Sequence, residues 1–443
     1  MLSILSNAWA LLLGMLLLML GNGLQGTLLG VRGAIEGFDP AGLSWVMSAY
    51  FLGLLIGSRS APRLIKRVGH VRVFAALASI ISAAFILYAA APDLVAWAVM
   101  RLIVGFCFAG VYVVTESWLN DTATNETRGQ ALSVYMMVSM AGLVLAQVVL
   151  TLADPGGFTL FIVISVVVSL SFAPILLSVS PAPVYETASP MTLRRLYRAS
   201  PLGAVGQLLL GAGASAVFAM SAVYGSQQGL SVEEISLFVA LVYIGGFVFQ
   251  APIGWLSDRM DRRLLIIASS GLGAAAAAAA FVAQGEGMLV FAAALLIGGT
   301  FNPLYSLLIA HANDFLPPED MAAASGGMLF LNGLGSVGGP VIAGALMQAF
   351  GAPAFFAYLA ATLTALCSYA LWRSTRRASV AVEDQAAYAA VMPSASPVAV
   401  EVAQEVAIEQ ILAAEEEEAA EEEAAEEAAA EGAGAAKGSG AAQ

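Results

Sequence analysis

Charge is scarce in this chain. Only 11% of its 443 residues are Asp, Glu, Lys or Arg, against about 25% in soluble domains, and 59% are hydrophobic. That balance excludes an ordinary soluble domain and points to a chain that crosses a membrane many times. Cysteine is nearly absent. Cys107 and Cys367 both fall inside apolar runs, which excludes a disulfide framework or a spaced metal site and reads as two buried, inert thiols.

The charge that exists is unevenly placed. The chain holds 31 acids and 18 bases, but fifteen of the acids and one base, Lys437, lie from Glu383 onward, leaving sixteen acids and seventeen bases before it. The body is near neutral, so the acidity of the whole chain carries no message about a substrate. The stretch 376–443 is low-complexity and ends in Ala/Glu runs. Ala and Glu favour helix, crowded like charges oppose it, and its composition supplies no apolar face, so it reads as a solvated, disordered tail.

Twelve apolar segments cover approximately 8–30, 42–62, 71–91, 94–117, 129–152, 158–179, 201–225, 235–256, 264–283, 288–311, 323–348 and 354–373. Each is close to the roughly 20 residues a bilayer core requires, and lipid offers no partner to open backbone, so each is expected to be a helix. The first is too long and lacks the basic flank of a cleavable leader. Even-numbered connections carry the bases: Arg63, Lys66, Arg67, Arg72, Arg128, Arg194, Arg195, Arg198, Arg259, Arg262 and Arg263. Odd-numbered ones carry Arg32 and a set of acids: Glu36, Asp39, Asp93, Asp154, Glu233, Glu234 and Glu286. The bias places both termini in the cytoplasm of an inner membrane. One connection departs from it: Asp314, Glu319 and Asp320 have no basic neighbour in the sequence.

The chain repeats itself. At a shift of 193 residues, Gly105, Tyr112, Asn120, Asp121, Glu126, Ala131 and Gly142 meet Gly298, Tyr305, Asn313, Asp314, Glu319, Ala324 and Gly335; at 192, "PRLIKRVGHVR" from Pro62 meets "GWLSDRMDRRL" from Gly254. The organisation is therefore an all-α membrane protein of two six-helix pseudo-repeats: 1–180, an inter-bundle loop at 181–200, 201–375, and the tail at 376–443. Parallel repeats of this kind build transporters with a site near the midplane between the halves.

These motifs resemble the major facilitator superfamily. "GWLSDRMDRR" resembles its signature between the eighth and ninth spans, with Gly254, Asp258, Arg259 and Arg263 in place; in the first half Lys66 stands where Asp258 would be. "RLIVGFCFAG" resembles the fourth-span pattern of proton-linked, drug-exporter-like members. "GSVGGPVIAG" in the eleventh span resembles the Gly-Pro motif that antiporters carry in the fifth, where this chain instead has Gln147 opposite Pro340. The resemblance covers roughly 8–375 and implies alternating-access transport, with proton coupling or substrate binding at Arg101 and conformational control at Asp258.

Arg101 lies about seven residues, ~10 Å, inside its span. A cation there needs a cavity or a partner; the alternative is a structural arginine bonded to carbonyls of the first and fifth spans. Glu116 lies fifteen residues later, roughly 22 Å along the axis and too far to pair with Arg101. It is expected at the inner gate, paired with Arg128, Arg67 or Arg63, with proton carriage as the alternative. Asp258 is expected to cap a neighbouring helix end or pair with a base. His311, Asn313 and Asp314 end the tenth span; His311 reads as part of a solvated helix end, with a pH-sensing gate as the alternative. Candidate cavity residues are Asn22 and Gln25 on one face, Tyr243 and Gln250 on another, Asn302 and Tyr305 on a third, with Tyr135, Ser139, Gln147, Gln207 and Asn332. Each alone reads as an interhelical hydrogen bond; together they outline a mildly polar, aromatic cavity, better suited to a neutral, amphipathic or anionic solute than to a strong cation.

"GNGLQG" has no strand before it and reads as helix packing, not phosphate binding. No catalytic triad, ligand set or P-loop is present, so no enzyme activity, metal or cofactor is implied and the energy must come from a gradient. The partners read are a small-molecule substrate, protons and the lipid bilayer, with no nucleic acid, and the chain reads as a monomer. The leading reading is a proton-coupled exporter. A facilitated-diffusion uniporter and a non-transporting membrane binding or assembly protein are the alternatives.

Overall fold

The computed structural model describes residues 2–122, 127–177, 191–284 and 287–382, and beyond these 385, 388–393, 396, 398–400, 402, 404, 405 and 408. Glu126, Glu286, the first part of the 181–200 link and the tail from 409 lie outside the described residues, as does the side chain of Glu319.

The helices are α1 (Leu2–Ile35), α2 (Pro40–Val68), α3 (His70–Ala90), α4 (Leu94–Thr122), α5 (Arg128–Leu150), α6 (Thr159–Ser171), α7 (Ala173–Leu177), α8 (Leu193–Ala199), α9 (Pro201–Gln227), α10 (Val232–Ser257), α11 (Arg262–Val282), α12 (Met288–Asn313), α13 (Pro318–Phe350) and α14 (Ala354–Ser374). Among the described residues they form twelve spans long and apolar enough to cross a membrane, with α6 and α7 sharing one. Their starts follow local chemistry. Asp39 caps α2 by accepting from the Gly42 N–H, with Pro40 in the first turn, where its missing N–H costs nothing. Ser231 and Glu234 form a reciprocal capping box at α10, and Asp261 caps α11. Gly69, at φ 85°, both ends α2 and opens α3.

Each half packs in the same pattern. In the first, α1 lies against α5 and α6, α2 against α4, and α3 against α4 and α6. In the second, α9 lies against α13 and α14, α10 against α12, and α11 against α12 and α14. The repeat reaches the level of single atoms. A Cβ at Gly105 of α4 would stand 2.0 Å from the Tyr50 carbonyl oxygen of α2, and one at Gly298 of α12 would stand 2.0 Å from the Val242 carbonyl oxygen of α10. Gly53 against Leu102 O and Gly245 against Leu295 O repeat the relation from the partner helix. With little hydrophobic drive between helices in lipid, small residues that let backbones touch set which helices pair.

Large apolar side chains such as Ile86, Val148, Ile162, Leu170 and Phe247 remain exposed on the outer faces, as a lipid-facing surface requires. The halves meet mainly along α2 with α13 and α1 with α9. Ser48 Oγ donates to the Val337 carbonyl at 2.5 Å, and Gly30 and Gly344 admit Ala222 and Ser44 at close range. These contacts lie towards the end whose connections are acidic. The Asp314 and Asp320 carboxylates, without bases beside them in sequence, find them in space: Arg262 for Asp314 and Arg195 for Asp320, the latter at 2.6 Å.

The segment after α14 differs from the solvated tail expected. Val391, Met392, Val398, Ala399, Val400 and Val402 are buried against the helices, and the chain is helical at Val398–Val400. The composition of 376–443 averages over an apolar stretch, Val391–Val402, which does supply a face to pack.

Candidate functional site

A cavity of about 180 Å³ lies between the halves, lined from the first by Asn22, Tyr50, Arg101 and Tyr112 and from the second by Phe218, Tyr243, Asn302 and Asn332. The wall is mostly apolar with a few polar groups, the composition of a small-molecule site, but the volume is below the roughly 300–1,000 Å³ usual for ligand pockets.

Arg101 is 4% exposed. Its Nη1 donates to Gln25 Oε1 at 3.0 Å, its Nη2 to Met47 Sδ at 3.1 Å, and its Cζ lies 4.8 Å from the Tyr50 ring centroid. The partners are side chains of α1 and α2, in place of the helix carbonyls that a purely structural arginine was expected to use. Among the described residues the Arg101 Nε and the Gln25 Nε2 are buried without hydrogen-bond partners. A buried cation with spare donor capacity, in a cavity and stacked on an aromatic ring, is suited to an acceptor-bearing solute.

Of the expected cavity residues, Asn22, Arg101, Tyr243, Asn302 and Asn332 line it, and Gln25 holds Arg101 from behind. Tyr243 stacks on Phe218 at 5.5 Å. Asn332 donates to Gln207 Oε1 at 3.1 Å, and Gln207 in turn donates to the Tyr305 carbonyl at 3.1 Å, so Gln207 and Tyr305 form a tie between α9, α12 and α13 behind the wall. Gln147 is taken by Thr27 of α1 at 3.0 Å. Ser139 is buried. Tyr135 and Gln250 face the other end of the helices. Tyr50, Phe218 and Met140 line the cavity without having been singled out by sequence; each sits in a run of apolar neighbours and carries no distinguishing pattern.

The gate residues are arranged differently from the expectation. Glu116 is buried, but no base lies within ion-pair distance of it among the described residues. It accepts from the Tyr135 hydroxyl at 3.0 Å and from the Ser396 N–H at 2.9 Å. Arg128 pairs instead with Glu405 at 2.8 Å, and Lys66 and Arg67 are exposed at the end of α2. The carboxylate of Glu405 was hidden in the acidic composition of the tail, so the competition for Arg128 was invisible.

The "GWLSDRMDRR" signature is closed on itself. Asp258 lies 3.7 Å from Arg262 and accepts from the Tyr388 N–H at 2.9 Å; a Cβ at Gly254 would meet the Tyr388 ring at 2.7 Å. Arg259 stacks on Trp255 at 4.4 Å. Arg263 forks onto both oxygens of Asp261, at 3.1 and 2.8 Å. Burial pushes the Asp261 carboxyl up, but hydrogen bonds from the Arg263 side chain and N–H outweigh it and hold the carboxyl below the usual aspartate range. Arg262, counted by sequence only as a loop charge, has a side chain 1% exposed; it bonds Ser257, the Ala310 carbonyl and Asp314. His311 is buried edge-on to Phe315 at 5.1 Å, which corrects the reading of a solvated helix end.

Comparison with known proteins matches this arrangement. The sequence pattern described as "Major Facilitator Superfamily" fits residues 11–232 and again 203–412. An uncharacterized MFS-type transporter of Enterobacter sp. (strain 638) is 28% identical over 349 residues, spanning 76% of this chain and 88% of its own. The uncharacterized MFS-type transporter YfkF of Bacillus subtilis (strain 168) is 26% identical over 354 residues, spanning 76% of this chain and 86% of its own. Among solved structures, the nucleoside transporter NupG superposes with a TM-score of 0.70 at 14% identity, covering 82% of this chain and 98% of that one. A bacterial homolog of the human lysosomal transporter Spinster, in an inward-facing and occupied conformation, gives 0.69 at 14% identity, covering 86% and 98%.

Proposed function

The chain belongs to the Major Facilitator Superfamily, and we propose that within it the protein is a proton-coupled exporter of a small amphipathic or anionic molecule, working by alternating access between the two six-helix halves. Secondary transport of a small molecule across the membrane is the activity of that family. The finer reading concerns substrate, coupling and direction.

The observation that carries it is Arg101: a buried cation in the only charged position of the cavity wall among the described residues, held by Gln25 and Tyr50 and left with an unpartnered Nε. An acceptor on the solute completes its hydrogen bonding, whereas a strong cation is repelled. Tyr50, Phe218 and Tyr243 supply apolar surface beside it.

Glu116 supports the coupling. It is a buried carboxyl whose described partners are hydroxyl and backbone amide groups, so protonating it breaks no ion pair with a described base. Under this reading Glu116 takes a proton from one side and returns it to the other as the halves rock, and the basic end of the bundle, with both termini, faces the cytoplasm.

Flux through the purified full-length chain in proteoliposomes is the test. With an imposed proton gradient, accumulation against the solute gradient is expected, and collapsing the proton gradient should abolish the accumulation. Downhill flux that ignores the gradient would replace this reading with a uniporter.

A further inference from the structure

The C-terminal segment makes contacts that a tail has no need to make. Its described residues enter the end of the bundle opposite the α1–α9 and α2–α13 closure and touch both halves. On the second half, Tyr388 accepts from Gln250 Nε2 at 2.9 Å and its N–H reaches Asp258. Val391 exchanges two hydrogen bonds with the Ser306 hydroxyl, through N–H at 2.9 Å and C=O at 3.1 Å, and Gln404 bonds Asn313 and Ser325. On the first half, the Ser396 N–H reaches Glu116 and Glu405 pairs with Arg128. Met392, Pro393 and Ser396 are themselves part of the cavity wall.

We propose that the described residues between 388 and 405 are an autoinhibitory plug, which covers the basic-end entrance of the central cavity and ties the two halves together, and whose spontaneous withdrawal limits but does not abolish transport by the full-length chain.

Three features support it. The occupant is chemically matched to the site: apolar Val391, Val398, Val400 and Val402 are buried in the mouth, while backbone N–H groups in the lining position satisfy the Glu116 and Asp258 carboxylates. The site spans the seam that must open, since Arg128 and Glu116 move with one half and Ser306 and Asp258 with the other. The plug is also tethered. The short chain between α14, ending at Ser374, and Tyr388 gives it an effective concentration in the millimolar range, so weak docking keeps the mouth occupied. The small volume of the cavity follows, because the plug fills its mouth.

The consequence for transport rests on the cavity being the substrate site, but the plug is tested without any substrate. In the full-length, detergent-solubilised chain with Cys107→Ala and Cys367→Ala, Met140→Cys reports on the cavity wall and Thr375→Cys on the exposed end of α14. Modification by a charged maleimide is timed with and without Val391→Asp and Val400→Asp, which put two carboxylates in the buried face of the plug. Labelling at 140 is expected to be slow in the intact chain and at least tenfold faster in the double aspartate form, with labelling at 375 unchanged. Ser396→Pro, which removes the N–H given to Glu116 and the hydroxyl that accepts from the Val398 N–H, should also speed labelling at 140, and it decides the matter should the aspartate form aggregate. Labelling at 140 that is equally fast with or without these changes, or equally slow in both, overturns the plug. Such a result leaves the transport reading to the flux experiment.

Discussion

The guanidinium of Arg101 on α4 and the side-chain amide of Gln25 on α1 meet at 3.0 Å in the middle of the bundle. The hydrogen bond fixes the arginine against the wall of its own half and leaves the cavity side for a solute. Arg101→Ala is expected to abolish solute binding and transport while the protein still inserts and folds. Arg101→Lys should rescue poorly, because an ammonium cannot bridge Gln25 and stack on Tyr50 together. Flux in proteoliposomes checks both, and normal transport by Arg101→Ala would remove its assigned role.

Glu116→Gln keeps the shape of the side chain and removes its charge. The expected result is a changed balance between inward- and outward-open states and loss of proton-driven accumulation, with exchange of solute retained. Cysteine accessibility on both faces, compared with the parent, reads the balance; no change on either face would count against a gating or coupling role.

The ion pair between Arg262 and Asp314 is nearly inaccessible, with side chains 1% and 3% exposed. Removing Arg262 takes its base from the buried Asp314 carboxylate. Arg262→Met is expected to cost about 3–5 kcal/mol, and adding Asp314→Leu should recover most of it. Thermal unfolding of the single and double forms measures this.

Helix contact at the repeated glycines yields a paired prediction. Gly105→Ala and Gly298→Ala each drive a methyl into a carbonyl oxygen of the facing helix and should each cost on the order of 1–3 kcal/mol. Gly338→Ala, whose new methyl meets nothing within 4 Å, should be neutral or slightly stabilising. Equal stability of all three would mean that the two close approaches do not hold the helices of each half together.

How much of this was legible beforehand depended on the range of the interaction. The twelve spans and the repeat are written in local hydropathy and in recurring glycines, but the pairings of α2 with α4 and α10 with α12 that rest on those glycines were not specified by the sequence. Arg101 stood out because an arginine in a membrane run has few places to go. Partners across sequence were another matter. Which base Glu116 would meet depended on helix ends that the sequence brings near but does not orient, and Arg128 was claimed by Glu405, 277 residues away. Arg262 looked like one loop arginine among several until Asp314 and Ala310 enclosed it. The packed stretch from Val391 to Val402 was obscured because its valines are few beside the glutamates that follow.

The central claim is that a solute binds at Arg101 between the halves. Its most direct measurement is a thermal-shift screen of the detergent-purified full-length chain against metabolites and amphipathic anions, at pH 5.5 and 7.5, run in parallel on Arg101→Ala. A ligand present at 100 times its dissociation constant adds about 2.7 kcal/mol to the folded state. The account predicts that anionic or acceptor-rich amphipathic compounds raise the melting temperature of the parent chain and leave Arg101→Ala unmoved. Stabilisation of both proteins alike, or stabilisation only by strong cations, would contradict it.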